Sequence, residues 1–148
     1  MVDGNSIIEG KVAERLTTTA SPTDDKTASG IIRTMGLGTT FTALQIGYMK
    51  GSSGVELSDA STATLMPAVV MVIEAGNKNE QKSCLYDGIV RDDSWTWTTG
   101  SVMYASTATG EMTQTAPAAS GDQVQIVGIA MSTTTIFFKP SYSVVVVA

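Results

Sequence analysis

The side chains able to do chemistry are few and poorly matched to one another. The 148-residue chain has no histidine. That removes the commonest general base and metal ligand, and with it every Ser-His-Asp or Cys-His arrangement. Cys84 is the single cysteine. It reads as a small core residue beside Leu85, and it cannot form an internal disulfide. Zinc would need clustered Cys and His. Asp24-Asp25, Asp92-Asp93 and Asp122 carry oxygens of the kind calcium takes, but without EF-hand spacing, and they read as solvated turns. Gly36-Leu37-Gly38 lacks the third spaced glycine, the Lys-Ser/Thr pair and the following helix of a phosphate loop. Two carboxylates for glycoside cleavage need no fixed spacing, yet aromatic residues, which usually line such clefts, total only 6%. The residue types therefore point away from an enzyme, and no cofactor or metal is expected.

One segment stands out as a site. Arg91-Asp92-Asp93-Ser94-Trp95-Thr96-Trp97-Thr98 holds both tryptophans of the chain. Two apart in a strand, Trp95 and Trp97 would share a face. Such a pair either anchors an interface or plugs one end of the core. A sugar platform would need polar partners as well.

The elements that position these residues follow from composition and pattern. Hydrophobic residues make up 43% of the chain and charged residues 16%, against roughly 25% charged in typical soluble domains. Ser and Thr fill the difference, in runs such as Thr17-Thr18-Thr19 and Thr133-Thr134-Thr135, and β-branched threonine suits a pleated surface. The length is that of one domain. The net charge of −5 is the wrong sign for a nucleic-acid footprint or for an anionic membrane surface. The apolar runs Leu65 to Ile73 and Val144 to Ala148 are too short to span a bilayer. No basic stretch followed by an apolar one opens the chain, so no signal peptide is expected, and folding in a reducing cytoplasm is.

Residues 1 to about 40 differ from the rest. Ile7 and Ile8 begin a stretch with apolar residues at 8, 12, 13 and 16. Ile8, Val12 and Leu16 thus share one helical face, which Gly10 weakens. Thr17 to Ser29 is polar, with Pro22 and Asp24-Asp25-Lys26, and reads as an extended linker. The segment is read as an N-terminal arm ordered on a partner, with a first strand pair of the main domain as the alternative. From about residue 41 to 148 the pattern is all-β, a single β-barrel or β-sandwich. Strands are expected at Phe41 to Tyr48, Val55 to Leu57, Val69 to Glu74, Cys84 to Arg91, Val102 to Ser106, Glu111 to Thr115, Val124 to Met131, Thr135 to Lys139 and Ser143 to Val147. A weak repeat relates the hairpin from Gly47 to that from Met103. Each has a tyrosine strand, a turn, a polar return, a proline (Pro67, Pro117) and a long apolar strand. Gly128, inside Val127-Gly128-Ile129-Ala130, suggests a bulge or a close backbone approach.

Several stretches carry a resemblance. Asp87-Gly88-Ile89-Val90-Arg91-Asp92-Asp93-Ser94-Trp95-Thr96-Trp97 leads into Gly100-Ser101-Val102-Met103-Tyr104-Ala105-Ser106-Thr107. Then follow Gly110-Glu111-Met112-Thr113-Gln114-Thr115-Ala116-Pro117, Gly121-Asp122-Gln123-Val124-Gln125-Ile126-Val127-Gly128 and Ile136-Phe137-Phe138-Lys139-Pro140-Ser141. Over residues 41 to 148 this resembles a β-module of bacteriophage virion proteins, found as capsid decoration (cement) proteins and at the distal ends of head or tail fibres. The resemblance implies a homotrimer on the outer surface of the phage head, with the major capsid protein as partner and no catalytic residues. A receptor-binding fibre tip is the alternative. The residues expected to meet the capsid or a neighbouring subunit are Ile7, Ile8, Val12, Leu16, Trp95 and Trp97.

Overall fold

The computed structural model describes residues 22–148. Ile7, Ile8, Val12 and Leu16 lie outside the described residues. The described chain is all-β, with eleven strands and two short 3-10 turns. They are β1 (Thr27–Gly36), β2 (Gln45–Met49), β3 (Val55–Leu57), β4 (Val70–Val72), β5 (Gln81–Arg91), β6 (Val102–Ala105), β7 (Met112–Thr113), β8 (Gln123–Val124), β9 (Ile126–Ala130), β10 (Thr135–Phe138) and β11 (Val145–Val146). Nine form one antiparallel sheet that curls into a half-barrel, and β8 pairs with β11.

The path through the large sheet is β3-β2-β4-β5-β10-β9-β6-β7. It reads the same from both ends. In the first unit, β2 to β5, the spatial order is second, first, third, fourth. The second unit, β6, β7, β9 and β10, repeats that order and skips the inserted β8. The units meet where β5 and β10 run antiparallel, from Thr135 opposite Arg91 to Phe138 opposite Gly88. The two similar sequence segments occupy matching hairpins, with Tyr48 opposite Glu56 and Tyr104 opposite Thr113. Gln125 ties the units together from a fully buried position. Its side-chain oxygen accepts from the Ala68 N–H at 2.8 Å, and its amide donates to the carbonyls of Ala68 and Ser141.

Residues 27–36, inside the segment read as an arm, are β1, paired with β5 along its whole length. The β-rich part thus begins at Thr27, not near residue 41. The first-strand alternative describes this stretch, although its partner lies about fifty residues away instead of in a neighbouring strand. Gly30 sits opposite Gly88, and a Cβ on either would overlap the backbone of the other strand. That close crossing needs glycine on both sides.

Two cores lie on opposite faces of the first unit. Met71 and Leu85 join the larger core with Ile46, Met103, Ile136 and Phe138. Their neighbours Val70, Val72 and Cys84 point the other way and meet Leu37, Phe41 and Val55. Strands buried on both faces lose the polar half of their alternation, which accounts for the unbroken run Val69 to Ile73. The chain leaving β1 closes the second core. Leu37 donates to the Glu80 carbonyl at 2.9 Å, Gly38 to that of Val55 at 2.7 Å, and Phe41 exchanges two bonds with Gly76.

Candidate functional site

Trp95 and Trp97 lie in the loop that follows β5, not in a strand. Both are half-buried against the larger core, with ring centroids 5.8 Å apart and planes tilted by 52°. The loop is held by Asp92, whose carboxylate accepts from the Ser94 N–H at 2.8 Å and hydroxyl at 2.6 Å, and from Lys26 at 3.2 Å. Burial alone would raise the Asp92 carboxyl, but these bonds outweigh it and leave it below the usual carboxylate range. The Trp97 N–H donates to the Thr133 carbonyl at 2.9 Å. Its indole Nε1 is buried and has no partner among the described residues, a cost of roughly 1–3 kcal/mol for an orphaned donor.

The acidic pairs noted in the sequence meet in space. The Asp93 N–H donates to the Asp25 carboxylate at 2.7 Å, and Arg91 Nε to that of Asp93 at 2.6 Å. Lys26 stands 3.7 Å from Asp25. Three carboxylates, Asp25, Asp92 and Asp93, thus share two cations at the end of the β1–β5 pair. Among the described residues, no three acidic or sulfur side chains are placed to hold a metal ion. Asp122 instead accepts from the Ala119 N–H at 3.0 Å. Cys84 is buried, and burial pushes its thiol up to about 11, so it stays protonated at neutral pH.

The feature not anticipated from the sequence is an apolar sheet face. In the second unit, the side of the sheet facing away from the larger core is only partly covered, with Ile89 buried at its β5 edge. Val102, Ile129, Phe137 and Ile89 stand in one cross-strand row with Ser29 of β1. Ile126 and Ile129 are 47% and 41% exposed. β9 and β11 extend this surface, because residues 121–131 run antiparallel to 135–147 as one long ribbon. Past β10, Lys139 donates to the Val127 carbonyl, Ser141 to that of Ile126, and Gly121 to that of Val147, each at 2.9 Å. The ribbon carries exposed Ile126, Ile129, Met131, Tyr142, Val145 and Val146, and β1 carries exposed Ile31 and Ile32, neighbours on opposite faces of their strand. Among the described residues, Met49 is the one exposed large hydrophobic elsewhere.

A groove of about 390 Å³ borders this face. Ile31, Tyr86 and Tyr142 form its apolar walls, with Arg33, Lys139 and Asp87 around them. Lys139 stands 3.7 Å from Asp87. That leaves the groove with one surplus positive charge in a chain of net −5. Burial raises the Tyr86 phenol, and Arg33 opposes the rise.

The alternation that would have revealed the face is broken at Val127. Between Met103 and Tyr104 the register skips one residue, so Val127 is the extra residue of a bulge. Val127 and Gly128 are both buried while Ile126 and Ile129 are exposed on either side. A Cβ on Gly128 would overlap the Phe137 carbonyl, so this glycine serves both the bulge and a close approach. Compared with protein-family models, curated proteins and solved structures, the chain finds no match.

Proposed function

We propose that this chain is a structural virion protein of a bacteriophage. It decorates the outer surface of the head as a homotrimer and cements the shell against the pressure of packed DNA. One observation carries this reading: the stretches that resemble phage virion modules, Gly121 to Gly128 and Ile136 to Ser141, build the ribbon with the bare apolar face. A large exposed apolar patch marks a surface that meets a partner.

In this reading three subunits close a ring and sit where several capsid subunits meet. The residues ahead of β1 run over the neighbouring capsid protein, and Ile8, Val12 and Leu16 supply their apolar stripe. Three arms on one trimer give avidity, so each contact can be weak. Because the trimer binds the assembled lattice and not loose subunits, it stabilises the shell by mass action. No step of this role is catalytic, and none involves a cofactor, nucleic acid or membrane.

Purified chain added to heads that lack it tests the proposal. The expected result is saturable binding to assembled shells, none to unassembled capsid protein, and a raised temperature of DNA release. Removing residues 2–20 should abolish head binding while leaving the β-sheet folded. Equal binding to unassembled subunits, or bound heads no more heat-resistant than bare ones, would contradict cementing. A fibre-tip role is the second reading, favoured by the tyrosine-walled groove beside Arg33. It predicts a few copies in the tail fraction or at head fibres.

A further inference from the structure

We infer that the bare outer face of the second unit is the surface on which a second copy of this chain packs, with the acidic end of one copy against the basic groove of the other. The inference rests on the self-association in the proposed function and adds which surface carries it.

The first argument is internal. The same side of the sheet exists in both units. In the first unit, the chain between β1 and β2 covers it, and Val70, Val72 and Cys84 are fully buried there. In the second unit the cover is partial: Ile89 is buried at the β5 edge, while Ile126 and Ile129 remain 47% and 41% exposed. The second unit thus has the makings of a core and lacks a complete lid.

The second argument is area. Ile31, Ile126, Ile129, Met131 and Tyr142 are each 41% exposed or more. Together they expose on the order of 500 Å², more than half of the roughly 800 Å² that each partner buries in a stable interface. Phe137 and Val102, half-buried in the same row, add to it.

The third argument is charge, and it selects a copy of this chain as the occupant. The groove with Arg33 and Lys139 carries one surplus positive charge. The cluster of Asp25, Asp92 and Asp93 with Lys26 and Arg91 carries one surplus negative charge. The cluster lies just before the start of β1 and the groove near its middle, roughly 20 Å apart at about 3.3 Å per residue. They cannot neutralise each other within one subunit, but a neighbour brings one against the other. Complementary patches of this kind fit a heterologous contact, which closes into a ring when the rotation between copies closes.

Sedimentation equilibrium of the full chain over a concentration series tests this, with circular dichroism to confirm that each variant keeps its β spectrum. The wild type should form a closed oligomer. Ile129→Glu should sediment as a folded monomer, an affinity loss of at least 100-fold. Arg33→Glu should weaken association about tenfold. Raising salt from about 0.1 M to about 1 M, which shortens the screening length from roughly 10 Å to roughly 3 Å, should do the same in the wild type. If Ile129→Glu fails to fold, Ile126→Lys at the edge of the same face gives the second reading. An oligomer that persists in these folded variants would overturn the assignment of this face while leaving the homotrimer intact. A wild type that stays monomeric yet binds heads would overturn self-association through this face and leave decoration standing.

Discussion

The two four-stranded units have the same strand order and opposite fates on their outer faces. In the first, Leu37 and Phe41 come down on Val70, Val72 and Cys84 and make a second core. In the second, the matching face keeps Ile126 and Ile129 exposed. One topology is used once as a finished two-sided layer and once as a layer finished on a single side. The difference lies in a short piece of chain, residues 37–41, and not in the strands. What distinguishes the buried face from the exposed one here is whether the same chain supplies the cover.

This contrast can be broken at its strongest point first. Phe41→Ala removes the lid of the finished face and should lower stability by about 3–5 kcal/mol, the usual cost of a deleted core aromatic, read from denaturant midpoints. Ile129→Ala on the bare face should lower the stability of the monomer by less than about 1 kcal/mol. Similar losses at the two positions would mean that the faces are equally finished.

The link between the units is the next target. Gln125→Leu leaves the Ala68 N–H and carbonyl unpaired in the core. An orphaned buried group costs roughly 1–3 kcal/mol, so a loss of about 2–4 kcal/mol is expected in the same assay. Gly128→Ala presses a Cβ onto the Phe137 carbonyl and should cost about 1–3 kcal/mol, the range for an overpacked site. Hydrogen exchange should show the loosening at β9 and β10, with the first unit unchanged. Uniform loosening would mean that the units do not behave separately.

The smallest effect is that of Asp92, which anchors the tryptophan loop. Its carboxyl is held below its ordinary value in the fold. The stability it contributes is therefore present above the unfolded value near 3.9, and is lost as the pH falls through that value and the lower folded one. Denaturation of wild type and Asp92→Asn at pH 6 and pH 2 should show a difference at pH 6 that shrinks at pH 2. A difference that grows on acidification would reverse this assignment.

Much of the sheet was legible from local pattern. Val55 to Leu57 is β3, and β4, β6 and β10 fall within the expected runs, because each pairs with a neighbour close in sequence or is apolar throughout. β1 was hidden because Thr27 to Gly36 is rich in small and polar residues and finds its partner only in β5. The expected strand from Phe41 begins at Gln45 instead, since Leu44 has a left-handed backbone (φ 67°) and Phe41 turns inward as part of the lid. The tryptophan pair was expected to share a strand face. A loop tied to Asp92 and Thr133 brings both rings to the core by another route. The bare face was least legible, because the bulge at Val127 breaks the period of two, and because exposure there depends on what the rest of the chain fails to cover.

Quantitative mass spectrometry of separated heads and tails from purified particles tests the central claim most directly. Decoration predicts this chain in the head fraction at a large fraction of the copy number of the major capsid protein. A few copies confined to tails, or absence from particles, would contradict it.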